Sequence, residues 1–268
     1  MPVHDDLGTR MKTYYEGVPK TRLMRRTPVA IRIDGKAFHT YTKGFCRPFD
    51  DILIETMQRT MQYLCENIQG CVLGYSQSDE ITLILVDYKN LNSAAWFDYE
   101  VQKMCSIVAS MATMAFNYIF ADILREKDYQ HMLSGVMNIQ DHLYQYRPKV
   151  GTAMFDARVF NIPKEEVTNL VYWRQLDATR NSIQMVGQTF FSHKQLHGKS
   201  CNQIQDMLME EKGINWNDYP TYQKRGSCCV KESYEENGVM RTRWVIDKNI
   251  PIFKGEDRKY IEQLINFE

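Results

Sequence analysis

The first 162 residues contain six apolar segments whose spacing alternates between the two-residue repeat of a strand and the longer repeat of a helix. They predict a strand, a helix, two strands, a helix and a strand at residues 29–33, 49–68, 71–75, 81–86, 96–124 and 155–162. This order is that of a ferredoxin-like antiparallel sheet with helices on one face. The sequence therefore predicts an α+β fold in which the first strand lies beside the central hairpin.

The two predicted helices have distinct apolar faces. In the first, Asp50 is placed to cap the N-terminus, and the apolar face comprises Leu53, Met57, Met61, Leu64 and Ile68. In the second, the predicted buried stripe comprises Val101, Met104, Val108, Met111, Ala115 and Tyr118. Residues 125–153 lack this periodicity and are predicted to form a long connection.

The remaining residues are predicted to form helices and a β-hairpin that pack on the first part. Two helices are expected at residues 163–186 and 200–213, the second between a Ser-x-x-Gln capping box and a terminal glycine. The Asn-Gly pair at 237–238 separates two strand-like runs, as is typical of a tight hairpin. We therefore expect a catalytic core at residues 1–162 and a C-terminal extension at residues 163–268.

Charge and cysteine content bear on partners and compartment. Lys plus Arg and Asp plus Glu both number 33, so an RNA partner would be held by local basic patches rather than by overall charge. The seven cysteines are odd in number and lack zinc-ligand spacing, which predicts reduced thiols. We see no signal peptide and no run of about 18 uncharged apolar residues. We therefore expect a cytoplasmic protein that does not contact a membrane.

Acidic residues lie at the ends of two predicted strands. Asp34 closes the first strand, and Asp79 and Glu80 lie in the turn of the central hairpin. These ends share one edge of the predicted sheet, where carboxylates can hold divalent metal against a triphosphate. We predict that Asp34, Asp79 and the carbonyl of Gly35 bind two Mg²⁺ ions, with Glu80 as a third ligand or a general base. Each acidic segment alone is also compatible with an ordinary solvent-exposed turn.

Five basic residues are candidates to neutralise the charge of a triphosphate, namely Lys36, His39, Lys43, Arg47 and Lys103. The first four follow the first strand, and the last lies on the second predicted helix. A histidine among aromatic residues is also often a structural hydrogen-bond partner, so His39 keeps both interpretations.

Two polar segments of the C-terminal part are candidate RNA contacts. Arg174 lies on a predicted helix, where it either contacts substrate or pairs with Asp177 three residues later. Lys224 and Arg225 lie close to Tyr222, and cations beside an aromatic ring suit RNA but are also common on protein surfaces. The residues alone leave these alternatives open.

Four sequence motifs in this chain occur in a fixed order. They are Arg32-Ile33-Asp34-Gly35-Lys36-Ala37-Phe38-His39, Gly74-Tyr75-Ser76-Gln77-Ser78-Asp79-Glu80, Phe155-Asp156-Ala157-Arg158 and Trp173-Arg174-Gln175-Leu176-Asp177. In order and spacing they resemble the motifs of the tRNA(His) guanylyltransferase family. The resemblance spans about residues 20–230 of the sequence.

The resemblance implies a catalytic core like the palm of nucleic-acid polymerases and a chain that grows 3′ to 5′ at the 5′ end of tRNA. ATP or GTP would activate that end, and GTP would supply the added nucleotide. Asp34, Gly35 and Asp79 would hold two Mg²⁺ ions, with Glu80 close by. The nucleotide would contact Asp34, Gly35, Lys36, Ala37, Phe38, His39, Lys43, Arg47, Ser78, Asp79 and Lys103. The resemblance also implies a homotetramer.

The chain departs from the family pattern at two places. Eukaryotic members continue the fourth motif with His-Ile-Asn-Asn-Leu-Tyr, whereas residues 179–184 here read Thr-Arg-Asn-Ser-Ile-Gln, which retains Asn181 as a further RNA-binding candidate. At residues 203–206 Gln-Ile-Gln-Asp replaces Asp-Lys-Asn-Glu. These departures favour the guanylyltransferase-like branch, which repairs shortened tRNA 5′ ends on a template, over dedicated addition of G to tRNA(His).

Two further function classes remain open at the level of sequence. A palm-type nucleotidyl cyclase or cyclic-dinucleotide synthase would use metal-binding acids on the same sheet order. A non-catalytic RNA-binding module would need neither the metal nor Asp34.

Overall fold

The computed structural model describes residues 6–134 and 143–267, and in them six strands form one antiparallel sheet. Strands β1 to β6 are Val29–Gly35, Cys71–Gln77, Glu80–Leu85, Phe155–Asn161, Ser227–Glu236 and Val239–Asp247. Their order across the sheet is β4-β1-β3-β2-β5-β6. The first four strands have the order of a ferredoxin-like sheet, and the predicted fold class is confirmed.

Helices cover both faces of this sheet. Helices α1 to α9 are Asp6–Met11, Phe38–Tyr41, Asp51–Asn67, Val101–Ser134, Lys164–Phe190, His193–Leu196, Cys201–Lys212, Thr221–Arg225 and Lys259–Ile265. A π-helical turn, Lys12–Glu16, follows α1, and a 3₁₀ turn, Trp96–Tyr99, precedes α4. Helices α3 and α4 pack on one face, and α5 and α9 pack on the other.

The inner strands are apolar on both sides, which is why both faces are covered. Ile31 and Ile33 of β1 belong to the core cluster shared with α3 and α4, whereas Ala30 belongs to the cluster shared with α5 and α9. Every residue of β3 is buried. The C-terminal residues also extend the sheet, because β5 pairs with β2. The division of the chain at residue 162 stays a prediction.

Helix α3 begins as predicted. The Asp50 carboxylate accepts a hydrogen bond from the backbone N–H of Leu53 at 2.8 Å, which satisfies one of the free donors at the helix start. The same carboxylate accepts hydrogen bonds from the N–H of Cys46 at 2.9 Å and from the hydroxyl of Tyr146 at 2.5 Å. One buried acid therefore fixes both the helix and the loop that leads into it.

Helix α4 differs from its prediction in two respects. Tyr118 is 67% exposed, because Phe116 and Phe120, both fully buried and without a polar group, occupy the face toward the sheet. The predicted connection at residues 125–153 is wrong in its first part, since the helix continues to Ser134. Ion pairs such as that between Arg125 and Asp122 replace apolar periodicity there. Residues 135–142 of that connection lie outside the described residues.

Helix α4 is also long and apolar enough to cross a membrane, judged by length and composition alone. An 18-residue window within Val101–Gln130 has a mean hydropathy of 1.6, so the expectation that no such run exists is wrong. Its apolar residues Met104, Val108, Phe116 and Phe120 are buried in the core cluster beneath the sheet. In this fold the segment serves as a core helix.

The C-terminal turns follow the sequence signals. Ser200 and Gln203 form both hydrogen bonds of a capping box at the start of α7, and Gly213 ends that helix in a left-handed conformation with φ of 66°. Asn237 and Gly238 join β5 to β6 with φ of 54° and 77°, as a two-residue hairpin turn of the favoured type requires. All seven cysteines are free, so the prediction of unpaired thiols is confirmed.

Candidate active site

The two predicted acidic segments meet at one edge of the sheet. Strands β2 and β3 extend further than predicted, which leaves a turn of only Ser78 and Asp79, with Ser78 at a positive φ of 50°. Asp34 is paired in register with Glu80 of β3 on one side and with Asp156 of β4 on the other. The backbone N–H of Gly35 donates to the carbonyl of Asp79 at 3.1 Å. This hydrogen bond joins the end of β1 directly to the hairpin turn.

Gly35 is needed here for a reason that the sequence did not reveal. A Cβ atom at this position would lie 2.3 Å from the nearest ring carbon of Phe38, which is buried. Two backbone features turn the chain so that Phe38 packs against Gly35. Ala37 adopts a left-handed conformation with φ of 55°, and the N–H of Lys36 donates a hydrogen bond to the carbonyl of Met154 at 2.8 Å. Segment 34–39 is therefore folded back tightly beneath the acidic edge.

The carboxylates of this edge repel one another. Burial raises the pKa of Asp34, and the charges of Glu80 and Asp156 raise it further. Burial likewise raises the pKa of Asp79, with Asp34 and Glu80 adding to the effect and a hydrogen bond from the Ser78 hydroxyl opposing it. The pair is therefore held in an arrangement that favours either protonation or a bound cation.

Glu80 is neutralised by two arginines. Both of its oxygens accept hydrogen bonds from Arg174, from Nε and from Nη2, each at 2.7 Å, and Arg32 Nη2 donates to Oε2 at 2.7 Å. Glu80 and Arg174 are buried. A carboxylate bound in this way is poorly placed to accept a proton from substrate, so the geometry favours a positioning role over that of a general base.

Arg174 also forms an ion pair with Asp177, with Nη2 and Oδ2 2.9 Å apart. The pair predicted from their three-residue spacing is therefore present, together with the contact to Glu80. The guanidinium groups of Arg32 and Arg174 lie over the indole ring of Trp173, at 5.4 Å and 4.6 Å from its centroid. Helix α5 is thereby fixed to the strand that follows the turn.

A cavity of about 420 Å³, called here the turn cavity, opens beside Ser78 and Asp79. Its lining includes the predicted residues Phe38, His39 and Arg47. The structure thus brings five of the predicted nucleotide-binding residues to one cavity. The sequence did not identify its other lining residues, which are Thr42, Phe45, Cys46, Pro48, Asp50, Leu53, Met185 and Gln188.

Lys103 lies away from these residues. Helix α4 starts beside the beginning of β1. The N–H of Val101 donates a hydrogen bond to the carbonyl of Thr21 at 2.9 Å. Three residues later, the N–H of Met24 donates to the side chain of Asn161, which pairs with Val29 at the start of β1. Asp34 is at the opposite end of that strand, about 16 Å away at the usual rise per residue. The ammonium of Lys103 instead lies 4.8 Å from the centroid of the Phe97 ring.

Comparison with known proteins decides which family this arrangement represents. The family model described as tRNAHis guanylyltransferase matches residues 8–163. The chain belongs to the tRNA(His) guanylyltransferase family. It is a nucleotidyltransferase, and the palm-type fold agrees with the strand order found here.

Solved structures and curated relatives agree with this placement. A bacterial tRNA(His) guanylyltransferase-like protein in complex with ATP is 42% identical, with a TM-score of 0.81 over 98% of this chain and 100% of that chain. A bacterial guanylyltransferase-like protein in complex with GTP is 40% identical, with a TM-score of 0.76 over 98% and 100%. The tRNA(His) guanylyltransferase of Saccharomyces cerevisiae is 26% identical over 220 residues, which are 76% of this chain and 82% of that protein.

The acid set of this guanylyltransferase family member fits a divalent cation. Among the described residues, no three His, Cys, Asp or Glu side chains lie close enough to hold a metal ion. The predicted set instead consists of two carboxylates, Asp34 and Asp79, and the carbonyl of Gly35. These are the oxygen donors that Mg²⁺ prefers, and a bound cation would offset the repulsion that raises the pKa of both acids.

The candidate RNA-binding residues of this guanylyltransferase family member have different surroundings. Lys224 is buried, where its ammonium donates to the carbonyl of Asn217 at 2.5 Å and burial lowers its pKa. Asn181 lines a small cavity of about 90 Å³ that also includes Ser78 of the turn. Arg225 lies over the ring of Trp216 at 5.8 Å. Asn181 and Arg174 are therefore the two members of this group that lie beside the acidic edge.

Lys36, Ala37 and Lys43 are exposed and do not line the turn cavity. Gln188 does line it, but it lies on α5, more than 100 residues after the first motif, and no local pattern marks it. Only the packing of α5 against the turn brings this guanylyltransferase residue into the site.

Proposed function

We propose that this protein is a Mg²⁺-dependent 3′-to-5′ nucleotidyltransferase that adds nucleotides to the 5′ end of tRNA and repairs shortened ends on a template. The observation that carries the proposal is the hydrogen bond from the N–H of Gly35 to the carbonyl of Asp79, which lines the turn cavity. This bond holds Asp34, the residue before Gly35, next to Asp79. Two bacterial relatives of high structural similarity are complexes with ATP and with GTP. These relatives support nucleoside triphosphates as substrates.

The reaction consists of two displacements at phosphorus. In the first, the 5′-phosphate of the RNA attacks the α-phosphorus of ATP or GTP and pyrophosphate leaves. In the second, the 3′-hydroxyl of an incoming GTP attacks the activated 5′-phosphate and the nucleoside monophosphate leaves. Each added nucleotide therefore brings its own triphosphate to the new 5′ end.

The residues of the edge divide this work. Asp34, Asp79 and the Gly35 carbonyl would hold two Mg²⁺ ions, which when bound would activate the attacking oxygen and stabilise the leaving phosphate. Arg47 and His39, both in the lining of the turn cavity, are placed to balance triphosphate charge. Glu80 is held in place by hydrogen bonds from Arg174 and Arg32. Because Glu80 directly follows Asp79 in the chain, it positions that residue.

Template-dependent repair is proposed over dedicated addition of G to tRNA(His) because residues 179–184 depart from the eukaryotic pattern. Those residues lie on α5, and Asn181, which the pattern retains, lines the cavity beneath Ser78. A change in this segment therefore acts close to the turn, where it can alter which RNA end is accepted.

The proposal is tested with 3′-labelled tRNA, ATP, GTP and Mg²⁺. A tRNA that lacks its first paired nucleotide is expected to gain a 5′ nucleotide complementary to the opposite base. A full-length tRNA(His) is expected to react more slowly. Equal addition to both RNAs, or addition that ignores the opposite base, would contradict repair. A cyclic product made from triphosphate without RNA would contradict the whole assignment.

We also propose a cytoplasmic homotetramer. Apolar side chains on the outer face of α4 support assembly, since Met114 is 57% exposed and Tyr118 is 67% exposed. Light scattering of the purified protein should give four times the chain mass of 31.6 kDa. A monomeric mass at micromolar concentration would contradict this assembly.

A further inference from the structure

A second cavity, of about 450 Å³, lies beside the C-terminal half of α5 and is called here the basic cavity. Its lining includes four potentially cationic side chains, which are Arg47, His193, His197 and Lys199. Two amides, Gln184 and Gln188, complete the polar part, above apolar residues that include Phe191. No carboxylate is among the residues that line it.

The basic side chains of the basic cavity form no ion pairs within the described part of the chain. Neither Arg47 nor Lys199 forms an ion pair there, whereas Arg32 and Arg174 both bind Glu80. Gathering unpaired positive charge costs free energy through repulsion, and that cost is recovered when an anion binds. All four potentially cationic side chains are exposed, as suits a ligand that exchanges with solvent counterions.

The basic cavity is continuous with the candidate active site. Arg47 and Gln188 line both cavities, so a phosphate chain that begins beside Asp79 can pass Arg47 on its way to Lys199. The basic side chains come from three separate segments, namely the loop before α3, helix α6 and the loop before α7. This distribution suits an extended strand with several phosphates better than the compact triphosphate of one nucleotide.

We propose that the basic cavity binds backbone phosphates of the RNA substrate next to its 5′ end. The inference rests on the proposed function for the identity of the RNA. It assigns a binding site that lies outside the acidic edge. Phosphate contacts of this kind position the RNA without reading its sequence. The basic cavity therefore contributes affinity to every tRNA equally and leaves base selection to the turn.

The test compares Lys199→Gln with Lys194→Gln. Lys194 is an exposed lysine of α6 that does not line the basic cavity, and it forms no ion pair within the described residues. tRNA affinity is measured by fluorescence anisotropy between 50 and 200 mM KCl, roughly the range over which phosphate contacts dominate. Lys199→Gln should lower the slope of log affinity against log salt by about 0.7 to 0.9, the value of one phosphate contact. Lys194→Gln should keep the wild-type slope.

Equal slopes for the two variants would overturn the inference. So would a loss of ATP affinity in Lys199→Gln, measured without RNA, together with an unchanged tRNA slope, since the cavity would then hold a triphosphate. Thermal melting should be the same for both variants, because each replaces an exposed side chain. A wild-type protein that shows the Lys199-dependent slope but adds no nucleotide would contradict the proposed function and leave the inference standing.

Discussion

Arg174 donates two hydrogen bonds, each 2.7 Å long, to the two carboxylate oxygens of Glu80, and so ties helix α5 to the strand that follows the acidic turn. Both residues are buried, and Arg32 adds a third hydrogen bond from β1. Two of the elements that surround the turn are therefore joined through one carboxylate. We expect Asp79 to depend on this network for its position, although neither arginine contacts it.

Replacing Arg174 tests that dependence. Arg174→Gln leaves a buried carboxylate with half of its partners, and we expect the free energy of unfolding to fall by about 3 kcal/mol, as when other buried ion pairs are broken. The rate of nucleotide addition should fall by at least roughly tenfold, since small displacements of a catalytic group have large effects. Urea unfolding and single-turnover kinetics measure the two effects.

Arg180→Gln is the matched control on the same helix, because Arg180 also pairs with Asp177 but is exposed. It should change stability by less than about 1 kcal/mol. Equal effects from the two variants would show that burial of the Glu80 network does not matter.

Asp34 and Asp79 should lower the stability of the fold although nucleotide addition requires them. Burial and mutual repulsion raise the pKa of Asp34 and Asp79, so ionisation of both acids destabilises the fold when no cation is bound. Asp79→Asn should therefore raise Tm at neutral pH in EDTA by roughly 1 to 3 °C, while abolishing nucleotide addition. Asp206→Asn, an exposed acid on α7, should change neither. A lower Tm in Asp79→Asn would contradict the predicted repulsion.

The same pair predicts a sign for the pH dependence of stability. Because the pKa of each acid is higher in the folded state than in the unfolded chain, the folded state takes up protons first as pH falls. The contribution of this pair to the free energy of unfolding should thus increase as pH falls from neutrality through the folded-state pKa values. The difference between wild type and Asp79→Asn, followed by denaturant unfolding in EDTA, should narrow over that range. A difference that widens would contradict this sign.

Gly35 should tolerate no side chain. In Gly35→Ala the new Cβ would lie 2.3 Å from the Phe38 ring, and we expect a loss of about 1 to 3 kcal/mol in stability through overpacking. Adding Phe38→Leu to this variant should restore part of the lost stability, which urea unfolding can measure. No recovery in the double variant would place the strain elsewhere.

Arg47 and Lys103 should differ in their effect on nucleotide binding. Arg47 lines the turn cavity, whereas Lys103 lies at the other end of β1 beside Phe97. Arg47→Gln should raise the KM for GTP by roughly tenfold, because a charge-assisted contact to phosphate is lost. Lys103→Gln should change that KM by less than about twofold. Similar KM values for both variants would show that Lys103 reaches the nucleotide after all.

The sequence was most informative where structure depends on neighbouring residues. The capping carboxylate of Asp50, the capping box at Ser200 and the Asn-Gly turn at residue 237 depend on residues a few positions apart, and all three are present. The strand order likewise followed from the spacing of apolar segments. That order was sufficient to bring Asp34 beside the hairpin turn.

Features that depend on distant packing were not predictable. Arg174 and Asp177 looked like an ordinary pair three residues apart, yet the stronger partner of Arg174 is Glu80, 94 residues earlier. Tyr118 was placed in the core by its spacing, but the fully apolar Phe116 and Phe120 take that face instead. Lys103 was expected near the triphosphate but lies beside Phe97, whereas Gln188 lines the turn cavity although no local pattern marks it. Only the assembled helices decide which side chains reach the turn.

We propose that Asp34 and Asp79 form the centre at which nucleotides are added to a tRNA 5′ end. The most direct test is single-turnover addition to a 3′-labelled, 5′-shortened tRNA with ATP, GTP and Mg²⁺, comparing wild type with Asp79→Asn at equal tRNA occupancy. We predict a product one nucleotide longer for wild type and none for Asp79→Asn, although both bind the tRNA equally. An equal yield of extended tRNA from the two proteins would show that Asp79 is not part of the catalytic centre.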